Sequence, residues 1–149
     1  MPTLRLTASS YYFSSATSLS STTMSNAYTN IDSTTKAQIN HTKTSRTSYY
    51  VYLRGFDFSQ IPSNAIITSA IVKVKAYVSG DKARIPKLYN NTKSISGAPT
   101  FSSTIGTNSS GTISTANITS QFETYKGYGN NFGIRFPLNR SSSSTASSL

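Results

Sequence analysis

Two segments near the middle of the chain alternate regularly between the two faces that a β-strand presents. In Tyr49–Arg54 (YYVYLR) Tyr49, Val51 and Leu53 share one face, and residues 66–78 end in a similar alternation of small apolar residues with lysine and tyrosine. A period of two residues is typical of a strand that buries one face, and it does not fit a helix. Phe132–Leu138 (FGIRFPL) repeats the pattern. These three segments therefore predict strands.

The remainder of the chain carries weaker signals of the same kind. Serine and threonine account for 50 of the 149 residues, and this composition favours short strands joined by polar turns over helices. Further short strands are predicted at residues 4–8, 35–40, 84–89, 101–105 and 112–114. One or two helical turns are predicted over residues 117–125. For the serine- and threonine-rich residues 9–48, disorder remains an open alternative to short strands and extended loops.

About seven or eight short strands, spaced by about ten residues, indicate an all-β protein with at most one short helix. The pattern predicts an antiparallel β-sandwich. A length of 149 residues suits one domain. We expect this domain to occupy residues 1–140, with residues 141–149 forming either a tail or the start of a missing final strand.

Several classes of function lack their usual residues. The chain has no cysteine, one histidine and four carboxylates, so thiolate chemistry and most acid–base chemistry are short of groups. The carboxylates do not cluster as calcium ligands do. We therefore expect no enzyme, no metal and no cofactor. No apolar run approaches the roughly 18 residues of a membrane span, and the first residues lack the apolar core of a signal peptide.

The formal net charge is +10, which would suit nucleic acid. However, no two of the 14 basic residues are adjacent, whereas nucleic-acid modules usually cluster them. A solvated basic face, or one that meets an acidic protein partner, is the favoured interpretation. The candidates for contact with an acidic partner are Lys73, Lys75 and Arg135.

Tyrosines form a second group of candidate contacts, because their rings can stack on sugars. The candidate glycan contacts are Tyr50, Tyr52, Tyr77, Tyr125, Tyr128 and Asn130. The first three lie opposite the valine and leucine positions of their strands, and the others lie in a glycine-rich region. The alternative is structural, since tyrosine commonly packs along strands with its ring buried.

A longer stretch resembles a known family. Residues 52–70 (YLRGFDFSQIPSNAIITSA), followed by the alternating strand, resemble the core of the DNRLRE-type jelly-roll domains. The later segments ITSQF and GYGNNFGIR are similar to the short helix, turn and strand of that family. The resemblance extends over residues 49–136 and implies a jelly-roll topology for the sandwich. Domains of this type usually close with a final strand, whose absence here would leave a sheet edge open to a neighbouring strand.

This version of the domain looks most like small virion structural proteins of tailed phages that infect Gram-positive bacteria. The resemblance implies a non-enzymatic capsid decoration or head-fibre component, made in the host cytoplasm and incorporated into the virion. Its partners would be other virion proteins and further copies of itself, with neither nucleic acid nor a membrane involved. The alternative from another class is a carbohydrate-binding or adhesion module that recognises cell-wall glycans.

Overall fold

The structure is a computed structural model that describes residues 3–14, 19–28, 36–41, 49–78, 84–138 and 146–148. Within these residues the chain forms ten strands and one short α-helix. The strands are β1 (Ser10–Phe13), β2 (Leu19–Ser20), β3 (Gln38–His41), β4 (Tyr49–Arg54), β5 (Ile71–Val78), β6 (Lys87–Asn90), β7 (Lys93–Ser94), β8 (Thr112–Asn117), β9 (Phe132–Leu138) and β10 (Ala146–Ser148). The helix is α1 (Phe122–Gly127), and short 3₁₀ segments lie at Met24–Tyr28, Phe58–Gln60, Thr119–Gln121 and Gly129–Asn131.

The described strands form two antiparallel five-stranded sheets, and the prediction of an all-β protein is confirmed. The first sheet has the order β1-β4-β9-β6-β7, and the second has the order β2-β3-β10-β5-β8. Apolar side chains from both sheets belong to one core cluster. The other face of each sheet therefore points away from this shared core.

The strongest sequence patterns became the central strands of the fold. In β4 the side chains of Val51 and Leu53 are buried in the core, as are those of Ile134 and Phe136 in the neighbouring β9. Val51 pairs with Phe136 and Leu53 with Ile134, so the two alternations are in phase. Because the side-chain period is two, this register fixes which residues face outward.

In the second sheet β5 buries Val74, Ala76 and Val78, as its alternation predicts, while Val72 is half-buried. The strand begins at Ile71, five residues after the predicted start. Pro62 accepts a turn hydrogen bond from the Ala65 amide, and the following residues are an exposed loop.

Two predicted strands are wrong. Residues 4–8 form no strand, because hydrogen bonding to β4 begins only when the Ser9 amide donates to the Arg54 carbonyl. Residues 101–105 are also irregular, although Ile105 forms a single bridge with Arg84. Predicted strand 84–89 begins instead at Lys87, since Pro86 has no amide hydrogen to contribute to a ladder.

The helical region is close to its predicted place. The Asn117 side-chain oxygen accepts hydrogen bonds from the amide (3.0 Å) and hydroxyl (2.6 Å) of Thr119, so Asn117 closes the turn that leads into the helix. Glu123 lies in the first turn of α1 and pairs with Lys126 at 3.2 Å.

The C-terminal part of the chain contributes a strand to the second sheet. Of residues 141–149 the structure describes 146–148, and these form β10 between β3 and β5. These three residues therefore pair on both sides within the second sheet. The predicted number of seven or eight strands is exceeded because short pieces such as β2 and β7, of two residues each, have no pattern of their own.

Candidate ligand-binding surface

The outer face of the first sheet carries a cluster of tyrosines and cations. The alternation of β4 turns Tyr50, Tyr52 and Arg54 away from the core, and the register places Tyr12 and Arg135 on either side of Tyr52. Next to Arg135, β6 contributes Lys87, and Tyr89 follows two residues later on the same face. The tyrosine–arginine face is defined by Tyr12, Tyr50, Tyr52, Arg54, Lys87, Tyr89 and Arg135.

Arg135 lies between two aromatic rings of this face. Its guanidinium carbon is 4.0 Å from the ring centroid of Tyr50 and 4.5 Å from that of Tyr89. Tyr50 belongs to the strand on one side and Tyr89 to the strand on the other, at diagonal positions that long side chains reach across a sheet. The contacts are cation–π interactions, which become stronger as the guanidinium loses water.

Arg54 makes a second pair of such contacts. Its guanidinium carbon lies 5.2 Å from the ring centroid of Tyr52 and 5.4 Å from that of Tyr12. Tyr52 also packs edge-on against Tyr89 at a centroid distance of 5.7 Å. The rings and guanidinium groups therefore form one continuous layer across four strands.

The tyrosines of this layer differ in exposure. Tyr52 and Tyr89 are only 6% and 8% exposed, whereas Tyr12 is 49% exposed. Burial raises the pKa of the Tyr52 phenol, and Arg135, which also hydrogen-bonds to this phenol, opposes the shift without reversing it. The phenol of Tyr52 is therefore a neutral hydrogen-bonding group at ordinary pH.

The positive charge of this layer has no carboxylate partner within the part of the chain that the structure describes. The carboxylates there belong to Asp57 and Glu123. Asp57 accepts hydrogen bonds from the amide (3.1 Å) and hydroxyl of Ser59, which lower its pKa, the hydroxyl having the larger effect. Glu123 pairs with Lys126.

Some nitrogen atoms of the two arginines are buried and unsatisfied. Nε and Nη2 of Arg54 and Nε of Arg135 have no hydrogen-bond partner among the described residues. A buried donor without a partner is costly, and a buried charge without a counter-charge is more so. The layer therefore combines cations that have no carboxylate partner with N–H donors that have no acceptor among the described residues.

Three of the predicted contacts lie on the second sheet instead. The side chains of Lys73, Lys75 and Tyr77 alternate with the buried residues of β5, and they point away from the core on the side opposite the tyrosine–arginine face. Lys36 lies over the Tyr77 ring, with its Nζ 4.9 Å from the centroid. These residues therefore cannot act together with Tyr50, Tyr52 and Arg135 on one small ligand.

The predicted contacts near the helix are placed differently again. Tyr125 is 2% exposed, and its ring stacks between those of Tyr128 (5.9 Å) and Phe132 (5.1 Å). Burial raises the pKa of its phenol. Tyr125 is thus a core residue with no free ring face, which corrects its assignment as a glycan contact. Tyr128 is half-buried against the core, and Asn130 is exposed.

An apolar pocket adjoins the tyrosine–arginine face. Its volume is about 230 Å³, and its wall is formed by β6, the residues before it and the segment that follows β7. The lining includes Leu88, Ile95, Pro99 and Phe101, together with Lys87 and Tyr89, which the pocket shares with the tyrosine–arginine face.

Sequence reasoning missed Tyr12, Arg54 and Tyr89 as members of the cluster. Arg54 could have been found, because it shares the outward parity of Tyr50 and Tyr52 in β4. Tyr12 and Tyr89 could not, because their places depend on which strands become neighbours.

Comparison with protein-family models, curated proteins and solved structures gives no significant match for this chain. In the described ranges no three or more His, Cys, Asp or Glu side chains gather as a metal site would require. Those ranges also contain no helix of the length and apolarity that crossing a membrane demands.

Proposed function

We propose that this chain is a non-enzymatic surface protein of a tailed-phage virion, a capsid decoration or head-fibre component present in many copies. Its docking surface is the tyrosine–arginine face, which meets an acidic surface of another virion protein. The observation that carries the proposal is the two-arginine, tyrosine-lined layer, whose arginines have no carboxylate partner among the described residues. Such a layer suits a protein partner of negative charge better than it suits catalysis.

The strand order agrees with the jelly-roll fold that we propose, and this fold in turn supports the virion assignment. From β3 to β10 the chain passes to the other sheet at every step except from β6 to β7, which gives the orders β3-β10-β5-β8 and β4-β9-β6-β7. Eight strands in two sheets linked in this way are the pattern expected of a jelly roll, a fold found in viral capsid and lectin domains. Because one fold serves many functions, the topology supports the virion role without deciding it.

The net charge of +10 favours docking on an acidic partner. A strongly basic protein is attracted to acidic surfaces, and this attraction weakens as salt is added. Strand edges and loops would add contacts of ordinary protein–protein character. Binding to empty capsids should therefore weaken as the salt concentration rises.

A carbohydrate-binding module is the second candidate, because the Tyr12 ring is half exposed on the same face. It ranks lower for a geometrical reason. Each of the four rings, Tyr12, Tyr50, Tyr52 and Tyr89, has a guanidinium carbon within 5.4 Å of its centroid. A guanidinium group covers one face of a ring, and Tyr52 and Tyr89 are in addition buried, so Tyr12 is the ring of the four most open to a sugar.

The test is immunogold electron microscopy of particles from the source culture, with antibody raised to this chain. Antibody pre-absorbed with the purified protein is the control. Gold on virion heads is the expected result. Unlabelled virions, combined with gold on cell walls and loss of wall binding in Tyr12→Ala, would overturn the virion assignment in favour of the glycan-binding module.

A further inference from the structure

We propose that Arg135 and the apolar pocket beside it form a subsite for an acidic peptide segment of a partner protein. In this subsite a glutamate or aspartate carboxylate binds the Arg135 guanidinium, and a neighbouring apolar side chain enters the pocket. The inference rests on the proposed docking role of the tyrosine–arginine face and specifies the chemistry of the partner.

Contacts with two tyrosine rings fix the Arg135 side chain in place before a ligand binds. Rings at 4.0 and 4.5 Å cover its planar guanidinium, and the side chain as a whole is half-buried. The guanidinium also hydrogen-bonds to the Tyr52 phenol and its Nε is buried, so the approach left for a carboxylate is at the terminal Nη groups. That edge of the guanidinium matches a carboxylate with two parallel hydrogen bonds. Because the rings already fix the side chain, binding loses little further conformational entropy.

No carboxylate of the described residues pairs with Arg135, and the phenol of Tyr52 to which it hydrogen-bonds is neutral. The Nε of Arg135 is buried without a hydrogen-bond partner among the described residues, and neighbouring Arg54 has two nitrogens in the same state. Lys87, directly opposite Arg135 in the register, adds a further exposed cation. A carboxylate at the guanidinium edge would therefore meet three positive charges and no competing anion from the described residues.

The apolar pocket determines which side chain of the peptide lies next to the carboxylate. It shares Lys87 and Tyr89 with the tyrosine–arginine face, and Tyr89 is one of the two rings over Arg135. Its volume of about 230 Å³ lies below the roughly 300–1,000 Å³ typical of pockets for small molecules. It suits one or two apolar side chains, in the way that an interface anchor fills a pocket on its partner.

This combination favours a peptide over the other polyanions. A nucleic acid would need several open ring faces for its bases, whereas Tyr52 and Tyr89 are buried and a guanidinium group lies over each of the four rings. A polyphosphate would satisfy Arg135 and leave the apolar pocket unused. An acidic peptide with one apolar residue is the ligand that uses both features.

The experiment measures fluorescence anisotropy of a labelled, glutamate-rich peptide with one central leucine, at low salt. The unaltered protein should bind it, and the Arg135→Gln variant should bind about tenfold more weakly or worse, because a charge-assisted hydrogen bond is lost. Lys73→Gln is the matched control: it removes the same charge from the outer face of the other sheet and should change the affinity less than about twofold.

Peptide variants test the same contacts without altering the protein, so a folding defect in Arg135→Gln cannot hide the answer. Replacing every glutamate by glutamine should abolish binding, and replacing the leucine by serine should weaken it several-fold. A short polyphosphate should compete poorly. Equal losses in Arg135→Gln and Lys73→Gln, or unchanged binding of the glutamine peptide, would overturn the proposal.

The two proposals fail in distinguishable ways. Gold-labelled virions together with no peptide binding would reject the peptide subsite and leave the virion role standing. Peptide binding that depends on Arg135, together with unlabelled virions, would retain the subsite and reject the virion role.

Discussion

Gly133 of β9 lies directly opposite Arg54 of β4, at a point where the two strands leave no room for a side chain. A Cβ added to Gly133 would meet the carbonyl oxygen of Leu53 and would lie 3.0 Å from Cγ of Arg54. On its other side Gly133 is paired with Tyr89. The glycine thus allows the close approach of the strands that carry both arginines of the tyrosine–arginine face.

The Gly133→Ala variant should therefore be strongly destabilised. The carbonyl oxygen is backbone and cannot move aside cheaply, so we expect the free energy of unfolding to fall by about 2 kcal/mol or more. Urea unfolding measures the change. Gly106→Ala is the control, because a Cβ at Gly106 would meet nothing within 4 Å. Equal stability of the two variants would contradict the predicted close approach.

Ser114 attaches an irregular segment to the edge of the second sheet. Its side chain is fully buried, its hydroxyl donates to the Ser103 carbonyl (2.6 Å), and it accepts from the Ser103 amide (3.0 Å). Ser114→Ala leaves two backbone groups without these partners and should cost about 1–3 kcal/mol. Faster hydrogen exchange at the Ser103 amide would locate the effect. Ser110→Ala, in an exposed turn, should change the stability by no more than about 0.5 kcal/mol.

These side-chain contacts explain where sequence-based prediction succeeded and failed. The strands β4, β5 and β9 were predictable because each buries one face, and burial leaves an alternating pattern. Residues 101–105 look like a strand, but their hydrogen bonds go partly to the side chains of Ser114 and Thr115. No local pattern reveals a partner that is about ten residues away and acts through a hydroxyl.

Three residues of the tyrosine–arginine face were named from the sequence, but their assembly into one cluster was not. Tyr50 and Tyr52 were interpreted as sugar contacts and Arg135 as a contact for an acidic partner, on separate grounds. The register of β4 with β9 brings the three together, and register is a tertiary property. Tyr125 was interpreted as a sugar contact but is a buried core residue. The sequence around a tyrosine does not distinguish a stacked core ring from an exposed one.

The contrast between Tyr125 and Tyr50 gives a third prediction. Tyr125→Ala removes a ring stacked within the core and should lower the free energy of unfolding by about 3–5 kcal/mol, the range for large aromatic truncations. Tyr50→Ala removes one of the two rings over Arg135 from the half-buried outer face, so it should affect stability less and ligand binding more. Thermal unfolding of both variants, with binding of the acidic peptide to Tyr50→Ala, tests the pair. A mildly destabilised Tyr125→Ala would contradict the core assignment.

The buried tyrosines also predict how stability depends on alkaline pH. Burial is the main cause that raises the pKa of Tyr28, Tyr52 and Tyr125 above 10.0 in the folded protein. Above about pH 10 the unfolded chain loses these phenol protons while the folded protein retains them, so the loss of these protons favours the unfolded state as the pH rises. The contribution of these phenols to the free energy of unfolding is fully present below the pKa of the unfolded chain. It is lost as the pH rises through their pKa values in the folded protein.

Urea unfolding between about pH 8 and pH 11 should therefore show a free energy of unfolding that declines above about pH 10. Tyr52→Phe and Tyr125→Phe each remove one titrating group and should make the decline shallower. Ser110→Ala, which removes no titrating group from an exposed turn, is the control and should leave the slope as in the unaltered protein. A slope that responds equally to all three substitutions would show that burial of the phenol is not the cause.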